Sequence, residues 1–131
     1  MLAPDTQFRI LCVEDEDLLR MLLVEYLSEW GYGVHAAASG REAIRMLDNL
    51  RRVDLLLTDI RLGDVDGWAV ASHARGARPR LPVIYMSGYP TDGSSVAGAV
   101  YLSKPFDYDA LRGAIRAVLG QTVLEGRTSP A

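Results

Sequence analysis

The sequence predicts an α/β fold in which a parallel sheet carries helices on both faces. Three observations lead there. Short apolar runs alternate along the chain with segments whose apolar residues recur at helical spacing. One of those runs, Val53 to Asp59 (VDLLLTD), is continuous rather than alternating, as a strand covered on both faces requires. The chain has 131 residues, 49% of them hydrophobic, enough for one domain with a full core.

The elements follow in order. FRILCV (Phe8 to Val13) reads as a first strand, ended by Glu14-Asp15-Glu16. From Asp17 to Trp30, Leu18, Leu19, Leu22, Leu23, Tyr26, Leu27 and Trp30 recur at helical spacing, with Asp17 as a possible cap and Gly31 as a stop. YGVHAA is a second strand. SGREAIRMLDNL opens with Ser39 and places Glu42 three residues later, a capping-box pattern, and Ala43, Ile44, Leu47 and Leu50 form its inner stripe. VDLLLTD is the third strand and GWAVASHAR a short helix. LPVIYMS is a fourth strand, begun by Pro82, which a first strand position tolerates. AVYLS is a fifth. DYDALRGAIRAVLG closes the series as a helix with Leu111, Ala114, Ile115, Val118 and Leu119 on one face. Residues 1–120 are expected to form one domain and residues 121–131 a flexible tail.

Bulk properties exclude several function classes. The net charge is -3, and the basic residues are scattered, with Arg51-Arg52 as the only adjacent pair, so direct nucleic-acid binding is not expected. The single cysteine, Cys12, cannot form an internal disulfide and fits a reducing compartment. No apolar run approaches the roughly 20 residues of a membrane span, and MLAPDTQFR has no signal-peptide core. These features predict a cytoplasmic protein without membrane insertion.

In an open α/β sheet, ligands bind outside the carboxyl ends of the strands. This chain places Glu14-Asp15-Glu16 at the end of strand one, Asp59 at the end of strand three, Ser87-Gly88 at strand four and Lys104-Pro105 at strand five. If strands one and three are neighbours, several carboxylates meet. Two unit charges about 4 Å apart repel by roughly 4 kcal/mol at an effective dielectric of 20. Such a group needs a cation, and oxygen ligands without His or Cys suit Mg²⁺, or Mn²⁺. Ser87 and Lys104 are donors suited to phosphate oxygens, and Gly88 leaves room and offers a backbone N–H. Asp59 then reads as a nucleophile able to form an acyl phosphate. Taken alone, Asp59 would be an ordinary strand-end turn residue; Asp15 and Lys104 argue against that reading.

The stretches ILCVEDED, LLLTDIRLGDVDGW, VIYMSGY and YLSKPF together resemble the receiver domain of bacterial two-component response regulators, over roughly Phe8 to Gly120. The resemblance implies a flavodoxin-like doubly wound five-stranded parallel sheet, strand order 2-1-3-4-5. It implies that Asp59 is the phosphoacceptor, that Asp15 binds the metal directly and Glu14 through water, and that the Arg61 backbone carbonyl is a further ligand. Ser87 would be the switch hydroxyl, Tyr101 the switch aromatic and Lys104 the phosphate-binding lysine, with a cis Lys104-Pro105 bond. The implied function is a phosphorylation-dependent signalling switch, not an enzyme with independent turnover. Its partners would be a sensor histidine kinase or histidine phosphotransfer protein and an unspecified downstream protein. A phosphorelay intermediate from a hybrid kinase is the alternative. An aspartate-nucleophile phosphohydrolase fits less well, because Arg61 stands where its general acid would be. Pathway and oligomeric state are left open.

Two departures stand out. Where the family has proline four residues after the phosphoacceptor, this chain has Gly63, which predicts a looser LGDVDG loop. GYPTDGSSVAGAVYLS is short and rich in Gly and Ser, which predicts a shortened or irregular fourth helix. Arg61 and Tyr89 flank the phosphoryl position without a group that orients water, which predicts a long-lived phosphorylated state.

Overall fold

The computed structural model describes residues 7–88 and 95–124. Five strands form one sheet: β1 (Arg9–Val13), β2 (Gly33–Ala37), β3 (Leu55–Asp59), β4 (Val83–Ser87) and β5 (Val100–Ser103). Their order is β2-β1-β3-β4-β5, with every neighbouring pair parallel. The helices are α1 (Asp17–Glu29), α2 (Gly40–Asn49), α3 (Gly67–Ala77) and α4 (Tyr108–Leu124). This is the expected architecture.

Side-chain alternation along the strands divides the core in two. Leu11, Val13, Leu56, Val83 and Tyr85 face α2 and α3, whereas Ile10, Cys12, Leu55, Leu57, Ile84 and Met86 face α1 and α4. All five residues of β3 are buried, which explains its unbroken apolar run. Fully burying each such Leu or Ile stabilises the fold by about 1.5–3 kcal/mol.

The helix signals hold with two adjustments. Ser39 Oγ accepts from Glu42 N at 3.1 Å, while Glu42 Oε1 accepts from Ala38 N at 2.9 Å. The N-cap of α1 is Glu16 rather than Asp17; Asp17 lies in the first turn and pairs with Arg20 at 2.7 Å. The last helix continues to Leu124, so the expected start of the tail at Gln121 falls inside it. No proline occurs between Gln121 and Leu124 to stop it. Between β4 and β5 no helix is present among the described residues; 89–94, including Tyr89, lie outside them.

Two glycines set how the loops pack. A side chain at Gly67 would run into the carbonyl oxygen of Asp59, and one at Gly40 into that of Val65. The start of α3 therefore lies directly on the end of β3, closed by Gly67 N donating to Ile60 O at 2.7 Å. Gly113, in α4, faces open space. Gly67→Ala is expected to destabilise the protein by about 2 kcal/mol or more. Gly113→Ala is expected to stabilise it by about 0.5–1 kcal/mol. Urea unfolding followed by circular dichroism checks both; a neutral Gly67→Ala would disprove the close approach.

Candidate functional site

The register of the sheet builds the site. Val13 pairs with Thr58, so the next residues, Glu14 and Asp59, emerge side by side at the carboxyl ends of β1 and β3. Both are buried, at 1% and 8% exposure, while Asp15 is exposed. One carboxylate oxygen from each of Glu14, Asp15 and Asp59 lies within 4.8 Å of the others.

Lys104 supplies the counter-charge. Its Nζ donates to Glu14 Oε1 at 2.9 Å and to Asp59 Oδ2 at 2.7 Å. It reaches them from the end of β5 because Lys104 N donates to Ser87 O at 2.7 Å, which prolongs the β4–β5 ladder by one step. The bond to Pro105 is cis, as expected. Glu14 Oε2 accepts from Glu16 N at 3.0 Å, and Asp59 Oδ1 accepts from Arg61 N at 3.2 Å.

Burial is the main influence on Glu14 and pushes its pKa up; hydrogen bonds from Glu16 N and Lys104 oppose this, and the neighbouring Asp59 charge adds to it. For Lys104, burial works downward, but the hydrogen bonds and attraction from Asp59 and Glu14 prevail and raise its pKa. Cys12 lies behind the site, and burial pushes its thiol up to about 12, so it stays protonated as an apolar filler.

Other expected residues are placed around this core. Ser87 ends β4, and Gly88 follows it, exposed. Asp59 is level with Met86, so Ser87 is one step further along the neighbouring strand. Tyr101, on the edge strand β5, is 40% exposed and packs its ring, tilted by 35°, against buried Tyr85 with ring centroids 5.2 Å apart. Tyr85 in turn accepts at its hydroxyl from Val96 N at 3.4 Å. Arg61 is exposed beside Asp59.

The loop after Asp59 is not loose. Gly63 has φ +81°, a left-handed conformation closed to proline. Asp64, next in sequence, clamps the loop to the start of α2 by accepting from Gly40 N and Arg41 N, each at 3.0 Å. The Arg41 hydrogen bond, followed by that of Val65, holds the Asp64 carboxyl below its ordinary pKa. Asp66 caps α3, accepting from Ala69 N at 2.9 Å. Sequence reasoning missed the Asp64 clamp, because its partners lie 24 and 23 residues away.

Chemically, the group is a set of carboxylate oxygens that could hold a hard cation. Mg²⁺ takes oxygen ligands at about 2.0–2.1 Å, which sets opposite ligands about 4 Å apart. Three oxygens within 4.8 Å, with no sulfur or imidazole among them, fit that ion.

The family model for the response regulator receiver domain matches residues 10–116. The transcriptional regulatory protein ZraR of Escherichia coli O157:H7 is 34% identical over 127 residues, 93% of this chain and 29% of that protein. Among solved structures, a receiver domain from the hybrid histidine kinase CckA shares 36% identity at a TM-score of 0.75, covering 85% of this chain and 98% of that one. The response regulator TrrA from Thermotoga maritima, solved in complex with Mg²⁺-BeF, shares 32% identity at a TM-score of 0.78, covering 86% and 100%. The chain spans less than a third of the length of the curated relatives it matches.

Removing the ammonium tests the site's electrostatics. Glu14 has a raised pKa in the fold, so its ionisation opposes folding, and stability rises as pH falls through its folded pKa. Without Lys104 that opposition grows. Lys104→Met is expected to destabilise by about 2 kcal/mol near pH 8, below the usual figure for a broken buried pair because the lysine side chain is 23% exposed. The penalty should shrink as pH falls and Glu14 takes a proton. Urea unfolding of both proteins across that range checks it; a pH-independent difference would contradict it.

Proposed function

The chain belongs to the response regulator receiver domain family, and on that premise we propose that it is a phosphorylation-dependent signalling switch with Asp59 as phosphoacceptor. The observation that carries this is the placement of the Asp59 carboxylate at the end of a buried strand, 2.7 Å from Lys104 Nζ and grouped with Glu14 and Asp15. An Asp59 oxygen attacks the phosphorus of a phosphohistidine on a sensor histidine kinase or phosphotransfer protein. The P–O bond forms as the P–N bond breaks, and the leaving imidazole takes up a proton.

Glu14, Asp15, Asp59 and the Arg61 carbonyl would hold Mg²⁺, with Mn²⁺ as a substitute. The bound ion would neutralise charge on the phosphoryl oxygens. The metal complex of TrrA supports this assignment by similarity. Lys104, Ser87 and the Gly88 N–H bind the phosphoryl oxygens. Ser87 then moves toward the new charge and Tyr101 repacks, which changes the surface offered to a downstream protein.

Among the described residues no helix is long and apolar enough to cross a membrane, and we place the domain in the cytoplasm, where its phosphodonors are. It turns over no separate substrate, and residues 1–120 suffice for the switch. Similarity to the CckA receiver favours a second reading, in which the domain passes the phosphoryl group on within a relay.

Incubation with Mg²⁺ and acetyl phosphate or beryllofluoride is expected to give an adduct on Asp59, located by mass spectrometry after borohydride trapping or by NMR, and none in Asp59→Asn. An adduct elsewhere would defeat the assignment. Asp15→Asn is expected to weaken Mg²⁺ binding by about tenfold or more, and Glu14→Gln by less. Titration of Trp fluorescence measures this, and equal affinity in wild type and Asp15→Asn would remove Asp15 from the ligand set.

A further inference from the structure

At the amino-terminal end of the sheet, opposite Asp59, the α2–β3 and α3–β4 connections and the start of β5 enclose a cleft of about 1160 Å³. Arg51, Arg52, Arg75, Arg78 and Arg80 line it, with Asp54 as the one carboxylate. Five guanidiniums against one carboxylate leave a surplus of four positive charges among the described lining residues, in a chain of net charge -3. Residues scattered in the sequence are gathered here by the fold: five of the 14 basic side chains share one recess.

Three of the arginines are tethered. Arg52 pairs with Asp54 at 3.1 Å. Arg75 donates to Leu81 O at 2.7 Å and Ala97 O at 2.8 Å. Arg78 donates to Leu47 O at 3.2 Å and Leu50 O at 2.8 Å, carbonyls at the end of α2. Binding these carbonyls is a structural use of the side chains. Among the described residues it leaves their full charges without a counter-ion, and a guanidinium has five N–H donors, more than these bonds use. Arg51 and Arg80 are exposed and make no hydrogen bond to the described residues.

We propose that this cleft is a binding site for an organic polyphosphate, the class to which nucleoside triphosphates belong. A polyphosphate puts several charges on one short chain, matching five arginines that line a single recess; an extended peptide spaces successive residues about 3.3 Å apart. The planar guanidinium fork fits phosphate oxygens two at a time. Val53, Leu81, Val100 and Val118 give the cleft apolar wall for the organic body. The site is independent of the role assigned to Asp59, and its ligand would not compete with phosphoryl transfer there.

The test is titration of the full chain by calorimetry, without Mg²⁺ and in about 0.15 M salt, with ATP, inorganic tripolyphosphate and adenosine. ATP and tripolyphosphate should bind one to one, ATP at least as tightly, and adenosine not at all. Amide NMR shifts should fall at residues 51–54, 78–82 and 97–100. Arg51→Glu with Arg80→Glu should weaken binding by about tenfold or more while the unfolding midpoint stays unchanged. Arg51→Ala with Arg80→Ala, a milder pair, should weaken it less but measurably. The proposal is overturned by absence of saturable binding, by shifts centred on Glu14, Asp59 and Lys104, or by full affinity in both double variants. Tighter binding of an acidic peptide or duplex DNA than of either polyphosphate would also overturn it.

Discussion

Lys104 Nζ stands between Glu14 and Asp59, at 2.9 and 2.7 Å, and the carboxyl end of the sheet depends on that contact. Glu14 and Asp59 come from adjacent strands and Lys104 from the far edge, so the ammonium ties three strands at one point. It does not neutralise the group. Glu14, Asp15 and Asp59 bring three negative charges to one spot, and a single lysine leaves an excess. Glu14 shows the tension: burial raises its pKa despite the ammonium beside it. A site in that condition is suited to gaining and losing charge. A divalent cation would relieve it, and a phosphoryl group would offer Lys104 new oxygens to bind.

Such a site is useful only if Asp59 stays in place while its surroundings rearrange. Three contacts hold it. The start of α3 lies against its carbonyl at Gly67, Arg61 N donates to its Oδ1, and Asp64 fastens the following loop to α2. The Asp64 clamp uses N–H groups that every helix leaves unpaired in its first turn, and the helix dipole favours the carboxylate there. Gly63 makes the clamp compatible with the chain path, because its left-handed φ turns the backbone between Asp59 and Asp64. A different residue choice from the usual proline thus yields an anchored loop by another route.

The fold and the acidic site were legible because their signals are local. Each carboxylate of the site stands where an apolar run stops, and Lys104 stands before a proline at the end of the last strand. Sheet order then follows from the parallel architecture that the family shares. What was not legible depends on residues far apart in the chain. Nothing in LGDVDG distinguishes a solvated Asp64 from one that clamps another helix. Asp17 resembles a cap as much as Glu16 does, and only the backbone angles separate them. The arginines look dispersed until the α2–β3 and α3–β4 connections meet at one cleft.

The two ends of the sheet carry opposite charge, and the helices give a reason for it. In a parallel α/β fold every helix begins near the carboxyl ends of the strands and finishes near their amino ends. Partial positive charge from helix starts therefore collects on one side and partial negative charge from helix ends on the other. Carboxylates are favoured on the first side: Asp64 at α2 and Asp66 at α3 both use helix N–H groups there. Arginines are favoured on the second side, where Arg78 caps the carbonyls that end α2. Asp48 and His73, paired at 2.7 Å between α2 and α3, are exposed rather than part of either group. The side chains at each end go beyond what the helices require. Three carboxylates grouped at one strand end exceed the needs of capping, and so do five arginines lining one cleft. The excess at each end is charge that the described residues do not balance, and it is of the sign that attracts a cation at one end and an anion at the other.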